Sequence, residues 1–146
     1  MSQFRKLDDR TFASPQLTLG DIAAAKAQGI GLIINNRPDG EAPDQPEGRE
    51  IEQAARSHGI YYISIPVSSA GFSLPQVDAM VDALAKSDGK TLAFCRSGTR
   101  STLLWAMAKA KTGHDLDEIS RQAMAAGYDV SAVLPTMRML SEQNGG

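Results

Sequence analysis

The chain has 146 residues, 42% of them hydrophobic and 22% charged, the balance of an ordinary globular protein with enough length to bury a core. A net charge of −2 excludes nucleic acid or an acidic membrane surface as the main partner, so any anion site must be built locally. One cysteine excludes an internal disulfide framework and fits a reducing compartment.

The first dozen residues, MSQFRKLDDRTF, lack the apolar core of a signal peptide, and no run approaches the ~18 apolar residues of a membrane span. A cytoplasmic protein without membrane contact is expected. Residues 10–13 (RTFA) predict a short edge strand stopped by Ser14-Pro15. Thr18 opens a helix, with Asp21 at the reciprocal capping position, and Gly29 ends it. The β-branched run 29–35 (GIGLIIN) reads as a strand buried on both faces.

Residues 35–48, rich in Asn, Pro and Gly, form a long loop. A helix over 49–58, a strand over 60–67 and a connecting loop follow. Ser73 then caps a helix with Pro75 just inside its start and Gln76 at the box position. KTLAF, residues 90–94, is the last strand, and residues 101–112, 115–127 and 131–142 are helical. The alternation predicts an α/β fold: a three-layer domain whose mainly parallel central sheet of four to five strands is flanked by helices. With no internal repeat, residues 1–146 read as one domain, with a core over 10–113 and C-terminal helices over 114–142.

The segment TLAFCRSGTRS concentrates the chemistry. Cys95 stands at the carboxyl end of a parallel strand, where open α/β sheets place their ligands. Arg96, Ser97, Gly98 and Thr99 can curl so that backbone N–H groups point inward, and the following helix adds the positive end of its dipole. These groups and Arg100 favour thiolate over thiol at Cys95. Ser101 is placed to donate its hydroxyl to the sulfur, and Gly98 allows a close backbone approach. A lone cysteine after an apolar strand is usually a buried small hydrophobe. The series of strand, cysteine, glycine turn, arginine and helix favours a nucleophile over that reading.

CRSGTRS resembles the active-site loop of rhodanese sulfurtransferases. SPQL (14–17), IINNRPDGE (33–41), IPV (65–67), FCRSGTRS (94–101), Trp105 and AAGYDVS (125–131) resemble the beta-lactamase-hydrolase-like, phosphatase-like domain family. That resemblance implies a dual-specificity-phosphatase-like fold, cysteine-phosphatase-like in type. It also implies Cys95 as nucleophile and Arg100 as the arginine that binds the anion. Members are described as phosphatases or as sulfurtransferases, so the resemblance leaves the activity open.

Two features favour sulfur. Four residues separate Cys95 from Arg100, where protein tyrosine phosphatases have five, and a narrower ring of amides suits a persulfide. The segment 67–73, VSSAGFS, carries no carboxylate to protonate a leaving alkoxide. The expected enzyme is therefore a sulfurtransferase. It takes sulfur from a small anionic donor onto a Cys95 persulfide and passes it to an external thiol or cyanide, because no second cysteine can accept it. The alternative is a phosphatase acting through a Cys95 phosphocysteine, with Asp39 or Glu41 as the acid. A non-catalytic anion- or sulfide-sensing module is the third reading.

Arg37 either pairs with Asp39 or Glu41 or reaches toward the cysteine loop. Asn35 and Asn36 are expected to bond the loop backbone. Arg96 is expected to face solvent and steer anions, and Trp105 to be core. His58 and His114 are isolated, so neither a metal site nor a cofactor is expected.

Overall fold

The computed structural model describes residues 4–68 and 70–145; Ser69, in the 67–73 loop, and the ends of the chain lie outside the described residues. In chain order the elements are β1 (Arg5–Lys6), β2 (Thr11–Ser14), α1 (Leu19–Ala27), β3 (Ile30–Asn35), α2 (Gly48–Ser57) and β4 (Tyr61–Ser64). Then come α3 (Leu74–Lys86), β5 (Lys90–Phe94), α4 (Thr99–Lys111), α5 (Leu116–Ala125), a 3₁₀ turn (Ser131–Val133) and α6 (Leu134–Gly145). The strands form one sheet in the order β1-β2-β5-β3-β4, parallel except for β1.

The pleat sends alternate side chains to opposite faces. Ile33, Leu92 and Phe94 pack with Ile22 of α1 and Ile51 of α2 on one face. Ile34 and Ala93 pack with Leu104, Trp105 and Met137 on the other, where α3, α4, α5 and α6 gather. Helices on both faces explain why the two central strands read as continuous apolar runs.

Local signals place the helices. Thr18 Oγ1 accepts from the Asp21 N–H at 3.3 Å while Asp21 Oδ2 accepts from the Thr18 N–H at 2.8 Å, the reciprocal pair expected at the head of α1. Gln76 closes the same box on Ser73 at 2.8 Å. Gly29 ends α1 with φ 84°.

Three expectations need correction. Residues 10–13 are not at the edge of the sheet, because β1 folds back and pairs with β2. The strand expected over 60–67 is regular only over 61–64. Beyond it the Ile65 and Val67 N–H groups bond Asn35 O and Asn36 O, while the Asn36 side chain takes the Ile65 carbonyl. The helix expected from residue 101 begins at Thr99, because Gly98 turns the chain sharply in the left-handed region. Cys95, Asn35 and Ser64 thus stand at or just beyond the carboxyl ends of neighbouring strands.

Candidate active site

Cys95 lies directly after β5 and is buried. Its N–H reaches Ser14 O at 3.3 Å, and the Arg96 carbonyl accepts from Gln16 N–H at 3.2 Å, so residues 14–16 brace the loop from β2. The Cys95 sulfur accepts the Gly98 N–H at 3.1 Å. Gly98 has φ 94° and ψ −10° and is the cap of α4. Of the amides expected to turn inward, Gly98 alone is seen donating to the sulfur. The Thr99 N–H takes Ser97 Oγ at 3.4 Å, and the N–H groups of Arg100 and Ser101 have no acceptor among the described residues. Those two amides open α4, and orphan donors at a helix start suit an anion.

Tyr128, after α5, stands behind this turn. Its hydroxyl donates to Ser97 O at 3.1 Å, and a Cβ at Gly98 would fall well inside van der Waals contact with that hydroxyl. The Ser97–Gly98 peptide is planar and trans, so its carbonyl and N–H point to opposite sides. Anchoring the carbonyl on Tyr128 therefore aims the Gly98 N–H at the sulfur. Burial pushes the Tyr128 phenol up, against the pull of Arg5, whose guanidinium lies 5.4 Å from the ring centre. Sequence reasoning assigned no role to Tyr128 or Gln16. Both lie in blocks that carried the family resemblance, and that was the available signal.

Arg100 occupies the first turn of α4. Its Nη1 and Nη2 donate to the two Glu41 oxygens at 2.7 Å each, and Nη1 also reaches Val67 O at 2.5 Å. No described residue takes its Nε–H. The guanidinium therefore keeps its side-on fork, Nε–H with the second Nη2–H, in a fixed orientation. Glu41 first, and then the nearby Cys95 side chain, favour the charged guanidinium. Glu41 raises the Arg100 pKa above its already high value, and such a fork matches two oxygens of a tetrahedral anion.

Arg37 is buried and donates from Nε to Glu41 Oε1 and from Nη1 to Gln16 Oε1, at 2.9 Å each. Both readings of Arg37 hold in part: it pairs with Glu41, and through Glu41 it joins the cysteine loop. Asn35 Oδ1 accepts the Arg37 N–H at 2.9 Å, so the two asparagines bond backbone as expected. Arg96 and Thr99 are exposed, and Trp105 is fully buried.

Three sequence-derived roles do not fit. Ser101 does not bond the sulfur: its Oγ is buried without a partner among the described residues, because α4 starts early and turns it onto the inner face. Glu41 is unsuited as an acid. Hydrogen bonds from Arg100, and then Arg37, hold its carboxyl at about 2, so it carries no proton near neutrality. Asp39 is exposed and its Oδ1 accepts the Gly48 N–H at 2.8 Å, which ties it to the head of α2.

A parallel sheet with a cysteine, an amide turn and a fixed arginine at its carboxyl edge defines the cysteine-phosphatase type of fold. The chain belongs to the family described as "Beta-lactamase hydrolase-like protein, phosphatase-like domain", whose model matches residues 3–112. A beta-lactamase hydrolase-like protein of Xylella fastidiosa (strain Temecula1) is 32% identical over 134 residues, 90% of this chain and 31% of the relative. The chain thus spans about a third of that curated relative. Among solved structures, a candidate phosphatase from Neisseria meningitidis is 33% identical, with a TM-score of 0.81 over 97% of this chain and 99% of the other. A candidate phosphatase from Shewanella putrefaciens CN-32, 17% identical with a TM-score of 0.76 over 100% and 95%, shares the fold.

These relatives overturn the expectation of sulfur transfer, and with it the external thiol acceptor: the family and the solved relatives are phosphatase-like. A narrow ring of amides requires a loop that continues to Arg100, and the chain is already helical from Thr99. With α4 starting at Thr99, the anion-binding groups are helix amides and a guanidinium fork, and four intervening residues do not restrict the guest to one atom. No helix among the described residues is long and apolar enough to cross a membrane.

Proposed function

We propose that the chain is a phosphatase in which Cys95 attacks phosphorus and forms a phosphocysteine. The observation that carries this reading is the Gly98 N–H on the Cys95 sulfur at 3.1 Å, at the head of the helix whose first turn holds the Arg100 guanidinium fixed by Glu41 and Val67 O. The Arg100 fork binds two phosphoryl oxygens, while the Arg100 and Ser101 N–H groups stabilise the charge that builds in the transition state. Glu41 and Val67 O keep the guanidinium from turning away, which spares the reorganisation a mobile arginine would require. In the second step water attacks phosphorus and the Cys95 sulfur departs as the thiolate.

The test is phosphate release from 4-nitrophenyl phosphate by the purified chain. Cys95→Ser is expected to abolish it while leaving the circular dichroism spectrum unchanged. Arg100→Lys loses the fork but keeps the charge, and a drop of about 10²–10³ in kcat is expected. Acid quenching should trap one phosphoryl group on Cys95 by mass spectrometry. Release that persists in Cys95→Ser overturns the proposal.

A further inference from the structure

When a thiolate attacks a phosphoester, the S–P bond forms as the P–O bond to the leaving group breaks, and the electron pair departs on that oxygen. An aliphatic alkoxide needs a proton in the same step, since its conjugate acid is about as weak as water, ~15.7. Among the described residues, the acidic groups near Cys95 supply none. Glu41, the carboxylate bound to Arg100, is held ionised at about 2. Asp39 is tied to the head of α2, and Asp129 is exposed with its carboxyl held low by Ser131. Tyr128 donates its proton to Ser97 O from behind the turn. The loop 67–73 has no acidic side chain at all, and neither does 96–99. His58 and His114 follow the carboxyl ends of α2 and α4, at the opposite edge of the sheet from Cys95.

We infer that the substrate carries its phosphoryl group on an oxygen acidic enough to leave unprotonated: a phenol or a carboxylic acid, as in an aryl or acyl phosphate. Phosphate esters of aliphatic alcohols are excluded. The inference rests on the phosphatase reading and narrows it. The leaving phenolate or carboxylate takes the electron pair with it, and phenols and carboxyls ionise near 10 and 4. Water then attacks phosphorus, a P–O bond forms, the S–P bond breaks back to thiolate, and the protons of the water pass to solvent and phosphate. Arg100 and the helix amides act on the phosphoryl oxygens in both steps and leave the departing oxygen unassisted.

The experiment measures kcat/KM for acetyl phosphate, 4-nitrophenyl phosphate, phenyl phosphate and glycerol phosphate on the same enzyme. A steep fall with rising leaving-group basicity is expected. Glycerol phosphate should lie below phenyl phosphate by about 10²–10⁴, the contribution a general acid would have made. Asp39→Asn and Asp129→Asn should leave that slope unchanged. Glycerol phosphate turned over within about tenfold of phenyl phosphate overturns the inference, as does an Asp39→Asn or Asp129→Asn variant that selectively loses the more basic leaving groups. Inactivity on all four substrates, with Cys95 still alkylated by iodoacetamide, overturns the phosphatase reading instead.

Discussion

At the residue scale, one peptide plane orients the candidate nucleophile's environment. Tyr128→Phe removes the hydrogen bond to Ser97 O while keeping the ring that fills the space at Gly98. A loss of about 1 kcal/mol in stability is expected, together with slower alkylation of Cys95, because the Gly98 N–H is no longer held toward the sulfur. Urea unfolding and iodoacetamide kinetics read the two effects separately. Gly98→Ala combines a positive φ with a clash on the Tyr128 hydroxyl, and about 2–4 kcal/mol of destabilisation is expected. Glu41 sets a pH dependence. Its carboxyl lies at about 2 in the folded chain against an ordinary 4.5, so its ion pairs stabilise fully above pH 4.5 and are lost as the pH falls toward 2. Thermal midpoints measured down that range should fall more steeply for the native chain than for Glu41→Gln.

At the scale of elements, capping chemistry and apolar period were legible because they are local. The Thr18–Asp21 and Ser73–Gln76 pairs stand where the spacing of polar side chains puts them. Thr18→Ala should cost about 1 kcal/mol in denaturant unfolding and leave phosphate release intact, since α1 brings no side chain to the site. The start of α4 was misplaced by two residues for a physical reason. Thr99 and Arg100 have no special helical signal, and the turn depends on Gly98 adopting φ 94° with Tyr128 behind it. The edge position expected for residues 10–13 failed similarly: two residues, Arg5 and Lys6, carry too little pattern to announce a strand, and pairing alone makes them one.

At the scale of the molecule, a net charge of −2 means that long-range attraction for the proposed phosphoester has to come from local cations. Arg96 is exposed on the loop and has no hydrogen bond or ion pair from its side chain among those described. Arg96→Ala should lower kcat/KM and weaken its dependence on ionic strength while kcat changes little; steady-state kinetics at two salt concentrations check this. The sheet order explains how distant segments reach one place: β5 lies between β2 and β3, so Ser14-Pro15-Gln16 and Asn35-Asn36-Arg37 flank the cysteine loop.

The amino-acid order alone determined the α/β layering, the two-sided burial of the central strands and the candidacy of Cys95 and Arg100. Each of these is written in short-range periodicity or in a contiguous motif. The tertiary structure decided what Glu41 does, because its partners Arg37 and Arg100 come from different parts of the chain and only folding places both guanidinium groups on one carboxylate. It also decided the loop's geometry, which depends on a tyrosine 31 residues from the carbonyl it holds. Charge state and peptide orientation follow from spatial neighbours, and spacing along the chain does not encode which neighbours those will be.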